Sequence, residues 1–449
     1  MRSYHQQPTS YLIVFDKISA QNSSLCQPIN HADRPENIPM RITYLHQYFN
    51  TSDMSGGTRS YELARQLVGM GHEVNMITSR RDDDGGNDWY ESEEDGIRVH
   101  WLPVPYSNRM GFAGRIRAFL RFAWGAARKA ASLQTDVVFA TSTPLTIALP
   151  GAYAARVRRV PMVFEIRDLW PDVPVAMGVL KSRLLVWIAR RLEQFAYRQA
   201  TAIVALTPTM RDFVSGKGVS LGKIAVIPNG ANLERFAESV SKRSATESTE
   251  RPKTLLYCGS LGPAHGPEYL VSLAEEFKRQ SAGIRILVAG DGGLRKHLEE
   301  QARGTKCLDQ TISFVGSIPL REVPEYYWRA DASLMTMADC ELLFRHSVQN
   351  KFFDSLAAGK PVFSNYSGWS SELSERIGVG AILPRDDAAL ATEILTEKLQ
   401  DQNWLDAAGQ SARKLAEDRF GYERLGKQLE AVLLSATGSN LAAIGCATL

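Results

Sequence analysis

The chain has 449 residues, 44% of them hydrophobic and 22% charged, with a formal net charge of +3. That length holds two or three domains, and so small a net charge does not imply bulk nucleic-acid binding, so any electrostatic partner meets a local patch. Five scattered cysteines (Cys26, Cys258, Cys307, Cys340, Cys446) make no CxxC or metal spacing, which argues against a disulfide framework and fits a reducing compartment.

Residues 1–39 are polar, weakly periodic and without the features of a secretory signal. They read as a disordered leader or an over-called start, with the folded part starting at Met40. Strands are expected at Arg41–Leu45, Glu73–Thr78, Arg98–Leu102, Asp136–Ala140, Pro161–Ile166, Ala202–Leu206 and Ile224–Ile227. Amphipathic helical stretches such as "TRSYELARQLVGMG" and "LLVWIARRLEQFAYRQA" lie between them. No apolar run approaches the ~20 residues of a membrane helix. The polar stretch Glu238–Lys253 reads as a linker. The alternation then restarts with "TLLYCGSL", "IRILVAGDG", "ISFVGSI", "ASLMTM", "PVFSN" and "GAILP". Such a pattern predicts an α/β fold of two Rossmann-like, doubly wound domains facing across a cleft. The expected division is 40–235, a linker at 236–253, 254–420, a last helix at 421–435 packing back on the first domain, and a tail at 436–449.

Several stretches carry chemistry. In "SVQNKFFDSLAAGKPVFSN" (Ser347–Asn365), Ser347 suits a helix N-cap and Val348, Phe352 and Leu356 suit the core. Lys351 and Asp354 share another face. Bare N–H groups and Lys351 would seat an anion, and Asp354 would accept from hydroxyls, which together describe a nucleoside diphosphate. A capped helix with a Lys–Asp surface pair, worth ~0.2–0.5 kcal/mol, fits the same letters. Gly56 and Gly57 in "DMSGGTRSYELARQL" and Gly259 and Ser260 in "YCGSLGPAHG" form strand-to-helix turns that admit a phosphate or sugar. "FVGSIP", with Gly316 and Ser317, is a strand end whose backbone would bracket a base.

"FEIRDLWPDVP" ends a buried strand with Arg167, Asp168, Trp170 and Asp172. The helical stretch Phe112–Ala131 carries Arg115, Arg117 and Arg121 among Phe119 and Trp124, a pattern for a membrane surface or for a core-packed helix with a basic outer side. Asp82–Asp84 resembles a metal-binding DxD but sits in a polar Gly-containing loop, where a solvated charge run is the plainer reading. No HExxH, GxSxG or Walker loop is present.

The order and spacing of "SGGTRSYELARQLVGMGHEVNMIT", "DLWPD", "VIPNGANLERF", "YCGSLGPAHG", "VAGDGGLRKHLEE", "FVGSIP" and "NKFFDSLAAGKPV" resemble the bacterial family-4 retaining glycosyltransferases of GT-B fold, including fucosaminyltransferase-like enzymes of O-antigen, capsule and exopolysaccharide assembly. The resemblance covers Met40 to Leu434. It implies transfer of a sugar, with retention, from a nucleoside diphosphate sugar (UDP-linked, N-acetylated or deoxy) to a lipid-linked saccharide. It also implies no cofactor or metal, no nucleic-acid partner, and work at the cytoplasmic face of an anionic membrane.

By the same resemblance Asp354 holds the ribose, while His346 stands where the family has its first glutamate and, with Ser347, faces the donor sugar. Gly56, Gly57, Gly259, Ser260, Gly316, Ser317 and Lys351 surround the donor nucleotide. Asp168 and Arg167 position the acceptor hydroxyl, and His346 completes the catalytic set. Ser260 and His265 replace the Arg and Lys often found in the second glycine turn, leaving the charge to Lys351 and Arg345. Two other readings fit the fold: a sugar-nucleotide epimerase and a non-catalytic sugar-nucleotide-binding subunit.

Overall fold

The computed structural model describes residues 39–54, 56–81, 88–106, 110–237 and 251–438, and the side chain of Phe112 is not among them. Asp82–Asp84, the leader up to residue 38, most of the linker and the tail from residue 439 lie outside the described residues.

Two sheets organise the chain. The first has strand order β3-β4-β2-β1-β5-β6-β7-β8. Its strands are β1 (Arg41–Leu45), β2 (Glu73–Arg80), β3 (Tyr90–Glu94), β4 (Ile97–Pro103), β5 (Val137–Thr141), β6 (Met162–Ile166), β7 (Ala202–Ala205) and β8 (Ile224–Val226). All pairs are parallel except β3 on β4, an antiparallel edge hairpin that the sequence reading missed. The strand "YESEE" has one aromatic, Tyr90, followed by four polar residues, and none of the five is buried, so no apolar alternation marks it.

The second sheet runs β11-β10-β9-β12-β13-β14 and is all parallel. Its strands are β9 (Lys253–Cys258), β10 (Ile284–Ala289), β11 (Ile312–Gly316), β12 (Ala332–Met335), β13 (Val362–Ser364) and β14 (Gly380–Ile382). Both sheets are thus doubly wound and Rossmann-like. Along its parallel strands each reverses its order once, at β1/β5 in the first and at β9/β12 in the second. Crevices at such reversals, outside the carboxyl ends of the strands, are where these sheets bind ligands.

Helix α1 (Arg59–Gly69) follows the Gly56–Gly57 turn. Helices α2 (Phe112–Ser132), α3 (Ala148–Arg158) and α4 (Arg183–Gln199) cover one side of the first sheet, and α5 (Pro208–Ser215) follows β7. In the second half, α6 (Glu341–His346) and α7 (Asn350–Ala357) run in tandem between β12 and β13. The last helix, α8 (Tyr422–Ala436), packs Leu425, Leu429, Val432 and Leu433 into the core of the first sheet, against α1. Ala231 pairs with Gly421 where the chain passes between the halves in both directions.

The first glycine turn is fixed by a buried ion pair. Arg59, 1% exposed, opens α1 and donates to Glu165 of β6 at 2.7 Å. It also donates to the carbonyls of Ile227 (2.9 Å) and Pro228. Two parallel strand ends and a helix start are tied by one guanidinium. Removing one partner strands a buried charge, a loss of ~3–5 kcal/mol. Arg59→Met is therefore expected to lower unfolding free energy by roughly that amount in urea titration. A change below about 1 kcal/mol would show that the pair does not hold this corner.

Candidate active site

The second-half site grows from the end of β9. Gly259 has φ +150, and the backbone there lies against Gly290 at the end of β10; a Cβ on Gly290 would stand 1.8 Å from the Gly259 carbonyl oxygen. Only glycine permits that approach. Beside it rises Lys351 from the first turn of α7. Its ammonium lies 3.4 Å from the centroid of the Tyr257 ring. The Tyr257 hydroxyl donates to the Ser260 carbonyl at 2.7 Å, which steadies that platform. Lys351 is 6% exposed, and its Nζ is buried without a hydrogen-bond partner. Burial brings its pKa down to about 7, opposed by the nearby Cys258. The His265 Nδ1 is also buried and unpartnered. Burial, with Lys351 adding to it, holds that imidazole near 4. Two buried nitrogens without hydrogen-bond partners thus flank one glycine turn.

One turn further along α7, Asp354 is half-buried. Burial pushes its carboxyl up to about 6, against the opposing field of Arg235. Arg235 is anchored by Glu62 of α1 at 3.3 Å, and Glu62 also accepts from Asn232 at 2.6 Å. The carboxylate of the second half therefore sits in the field of a cation held by the first half, a link that no local sequence pattern announced.

The first-half site lies at the ends of β1, β5 and β6. The Asn50 side chain donates to the Gly57 carbonyl at 3.1 Å and closes the Gly56–Gly57 turn. Gly56 has φ +118. A Cβ on Gly57 would stand 2.9 Å from Asn350 Nδ2 and 3.8 Å from an Arg167 terminal nitrogen. The turn is therefore where α7 and the end of β6 meet. Arg167 approaches His46 Nε2 at 3.4 Å, and His46 Nδ1 lies 2.7 Å from the Ser60 hydroxyl. Burial, then Arg167 and Arg81, lower the His46 pKa well below its ordinary value. His46 is thus neutral, with one nitrogen facing Arg167 and the other Ser60. Neither His46 nor Asn350 was singled out in the sequence; a histidine directly after a buried strand was the signal for the first. Asp168 is exposed and accepts from the Thr143 hydroxyl at 2.7 Å. Asp172 points elsewhere, into ion pairs with Lys217 and with Arg190 at 3.7 Å.

Three placements differ from expectation. Ser347 is not an N-cap: α6 ends at His346 and α7 begins at Asn350 after Gln349, so Ser347 lies in the joint between two helices. Arg345 faces out and pairs with Glu341 at 2.7 Å, leaving Lys351 as the cation beside the Gly259 turn. Phe119 stacks on Tyr106 (ring centroids 5.8 Å apart) instead of sharing an outward side with Trp124, because five residues along a helix rotate it by roughly 140°.

His346 packs on Phe213 of α5 (centroids 5.0 Å), its carbonyl accepts from the Thr207 hydroxyl at 3.2 Å, and its Nδ1 is buried without a partner. Burial lowers its pKa. It is a contact between the two halves. Gly316 (φ +86) closes β11 near the Arg295 guanidinium, and the exposed Ser317 follows it.

The Lys351 environment has a pH signature. With a folded-state pKa near 7 and an ordinary unfolded value, the unfolded chain binds more protons between those limits. The penalty of burying the ammonium is full below pH 7 and fades as pH rises. Lys351→Met in the ligand-free protein is expected to gain stability relative to wild type at pH 6, and that gain should shrink by roughly 1–3 kcal/mol by pH 9. Urea titrations at the two pH values check this; a pH-independent difference would contradict a buried, unpaired ammonium.

Two family models match the chain, one in each half. The Glycosyl transferase 4-like domain family matches residues 56–230, and the Glycosyl transferases group 1 family matches residues 252–397. The chain is 25% identical over 335 residues to alpha-monoglucosyldiacylglycerol synthase of Streptococcus pneumoniae (71% of this chain, 70% of that one). It is 25% identical over 404 residues to glycogen synthase of Mycobacterium tuberculosis (85% and 91%). In fold it resembles Anabaena HepE crystallised with UDP-glucose, with TM-score 0.65, 17% identity, 88% of this chain and all of that one covered. With one family matched to each Rossmann-like half, in order along the chain, the protein belongs to the GT-B glycosyltransferases of the group 1 and 4-like type.

Proposed function

We propose that this glycosyltransferase takes its sugar from a nucleoside diphosphate donor, UDP-linked, and transfers it with retention to a lipid-linked saccharide in surface polysaccharide assembly. The observation that carries the donor site is the Lys351 ammonium, buried and unpartnered beside the Gly259 turn. A diphosphate there meets Lys351 and the first-turn N–H groups of α7, which favour negative charge. Asp354 takes the ribose hydroxyls, and the backbone around Gly316 and Ser317 brackets the base. His346 and Ser347 line the sugar from the joint of α6 and α7. Arg167, held by His46, and Asp168 position the acceptor hydroxyl at the Gly57 turn.

In this reading the acceptor oxygen bonds to the anomeric carbon as the sugar–phosphate bond breaks. The departing diphosphate takes the acceptor proton, and Lys351 stabilises the charge that develops on it. That leaves no task for a divalent metal, so turnover is expected to survive EDTA. A strict Mn²⁺ or Mg²⁺ requirement would contradict it. The relative named as a synthase of alpha-monoglucosyldiacylglycerol favours a lipid-borne acceptor. So does α2, whose Arg117, Arg121 and Trp124 are exposed, and basic residues near an anionic surface contribute ~1 kcal/mol each. Among the described residues no helix is long and apolar enough to cross a membrane, so the contact would be peripheral.

Asp354→Ala is expected to weaken UDP binding by ~1.5–3 kcal/mol while leaving the fold intact. Isothermal calorimetry checks this, and unchanged affinity would remove Asp354 from the ribose. Donor incubated without acceptor should stay intact; release of an epimer would favour the epimerase reading instead.

A further inference from the structure

Helices α2, α3 and α4 lie side by side, α2 against α3 and α3 against α4. Their inward residues, among them Phe122, Ala126, Ala152, Ala155 and Ala196, form the core under one side of the first sheet. Each helix also exposes an apolar stripe. On α2 it is Leu120 and Trp124; on α3, Leu149, Tyr153 and Val157; on α4, Leu184, Trp187 and Ile188. The three- and four-residue spacings put each set on one outward line. Trp124 is 70% exposed and Trp187 59%. Each tryptophan carries an arginine four residues on, Arg128 at 5.7 Å and Arg191 at 5.9 Å from the ring centroid. Ala113, Ile116, Leu120 and Trp124 form one open apolar patch along α2, edged by Arg117 and Arg121.

The exposed charge that these helices contribute is one-signed; the acids that meet them, Glu91 at Lys129 and Asp172 at Arg190, come from neighbouring segments. Helices α2 and α3 contain no Asp or Glu. The single acid of α4, Glu193, is buried and engaged by Tyr197 and Lys217. Arg117, Arg121, Arg156, Arg183 and Arg191 are exposed. A chain of net charge +3 has thus gathered a strongly basic surface onto three neighbouring helices, interleaved with exposed aromatic and aliphatic side chains. A second copy of the chain would set two such basic surfaces against each other. Protein interfaces also deplete charge at their centre, whereas here arginine runs through it. An anionic bilayer satisfies both components: aromatic and aliphatic groups enter the headgroup region, and arginines meet phosphates.

We propose that the first domain docks flat on an anionic phospholipid surface through the α2–α3–α4 face, with Trp124 and Trp187 as its two anchors. One amphipathic helix leaves a protein free to roll about that helix. Two stripes on opposite sides of α3, roughly 20 Å apart at ordinary helix spacing, fix a plane. The orientation of the active-site cleft to the lipid surface then follows from the fold. The proposal rests on the reading of a lipid-borne acceptor and extends it from α2 to residues of α3 and α4.

The test is co-sedimentation of the full chain with vesicles of phosphatidylcholine alone or with phosphatidylglycerol added, at low and high salt, for wild type, Trp124→Ser, Trp187→Ser and the double variant. UDP calorimetry on each variant reports folding and the donor site independently. Binding is expected only to the anionic vesicles, salt-sensitive, reduced about five-fold or more by either single change and further by both, with UDP affinity unchanged. Full binding by Trp187→Ser alongside weakened Trp124→Ser would overturn the two-anchor plane and leave α2 docking standing. Absence of wild-type binding to anionic vesicles would overturn membrane docking, while normal UDP binding would leave the glycosyltransferase reading intact. Self-association lost in Trp187→Ser, without lipid binding, would assign the face to a second copy.

Discussion

A lysine ammonium enclosed by protein, with an aromatic ring under it and no hydrogen-bond acceptor, is costly to maintain. Several elements of the second half converge on Lys351. The Gly259–Gly290 approach brings two strand ends close enough to form its wall. Tyr257, pinned through its hydroxyl, forms its floor. Helix α7 supplies the lysine and, one turn later, Asp354. An anion repays the cost, because it supplies at once the countercharge and the acceptors that the protein withholds. Electrostatic stabilisation of a leaving diphosphate by a group already in place, with no reorganisation at the moment of reaction, is an effective form of catalysis.

The two halves are linked through the same elements. Arg235, held by Glu62 of α1, projects its field onto Asp354. Asn350, next to Lys351, reaches the Gly57 turn. His346 packs on Phe213 across the junction, and α8 returns the end of the described chain to the first sheet. A ligand at Lys351 and Asp354 would therefore be felt by both halves. Closure around a donor in an enzyme of this architecture would exclude water from the reacting bond.

The alternation of short apolar runs with amphipathic stretches made the two parallel sheets legible, since buried parallel strands read as unbroken apolar segments. The edge strand β3 escaped because its side chains after Tyr90 are polar and its pairing depends only on proximity to β4. In the site, Lys351 and Asp354 were visible as a helical pair beside glycine turns. Their burial was not: periodicity marks a face, while the partners covering it come from distant segments such as β9 and the Asn232–Phe236 stretch. His46 and Asn350 face the site through neighbours more than a hundred residues away, Arg167 and Gly57 respectively. The expected start of α7 at Ser347 failed because Glu341–His346 forms its own helical turn, which local capping rules did not separate from α7.

The account turns on Lys351 being the seat of the donor diphosphate, and proton linkage tests that most directly. At pH 8 an ammonium with a pKa of about 7 is largely neutral, and a bound diphosphate would recharge it. A UDP-sugar has no phosphate group that titrates near this pH. Calorimetry of UDP-sugar binding in buffers of different ionisation enthalpy should then show uptake of a substantial fraction of a proton by the wild type and none by Lys351→Met. Equal uptake in both proteins, or none in the wild type, would contradict it.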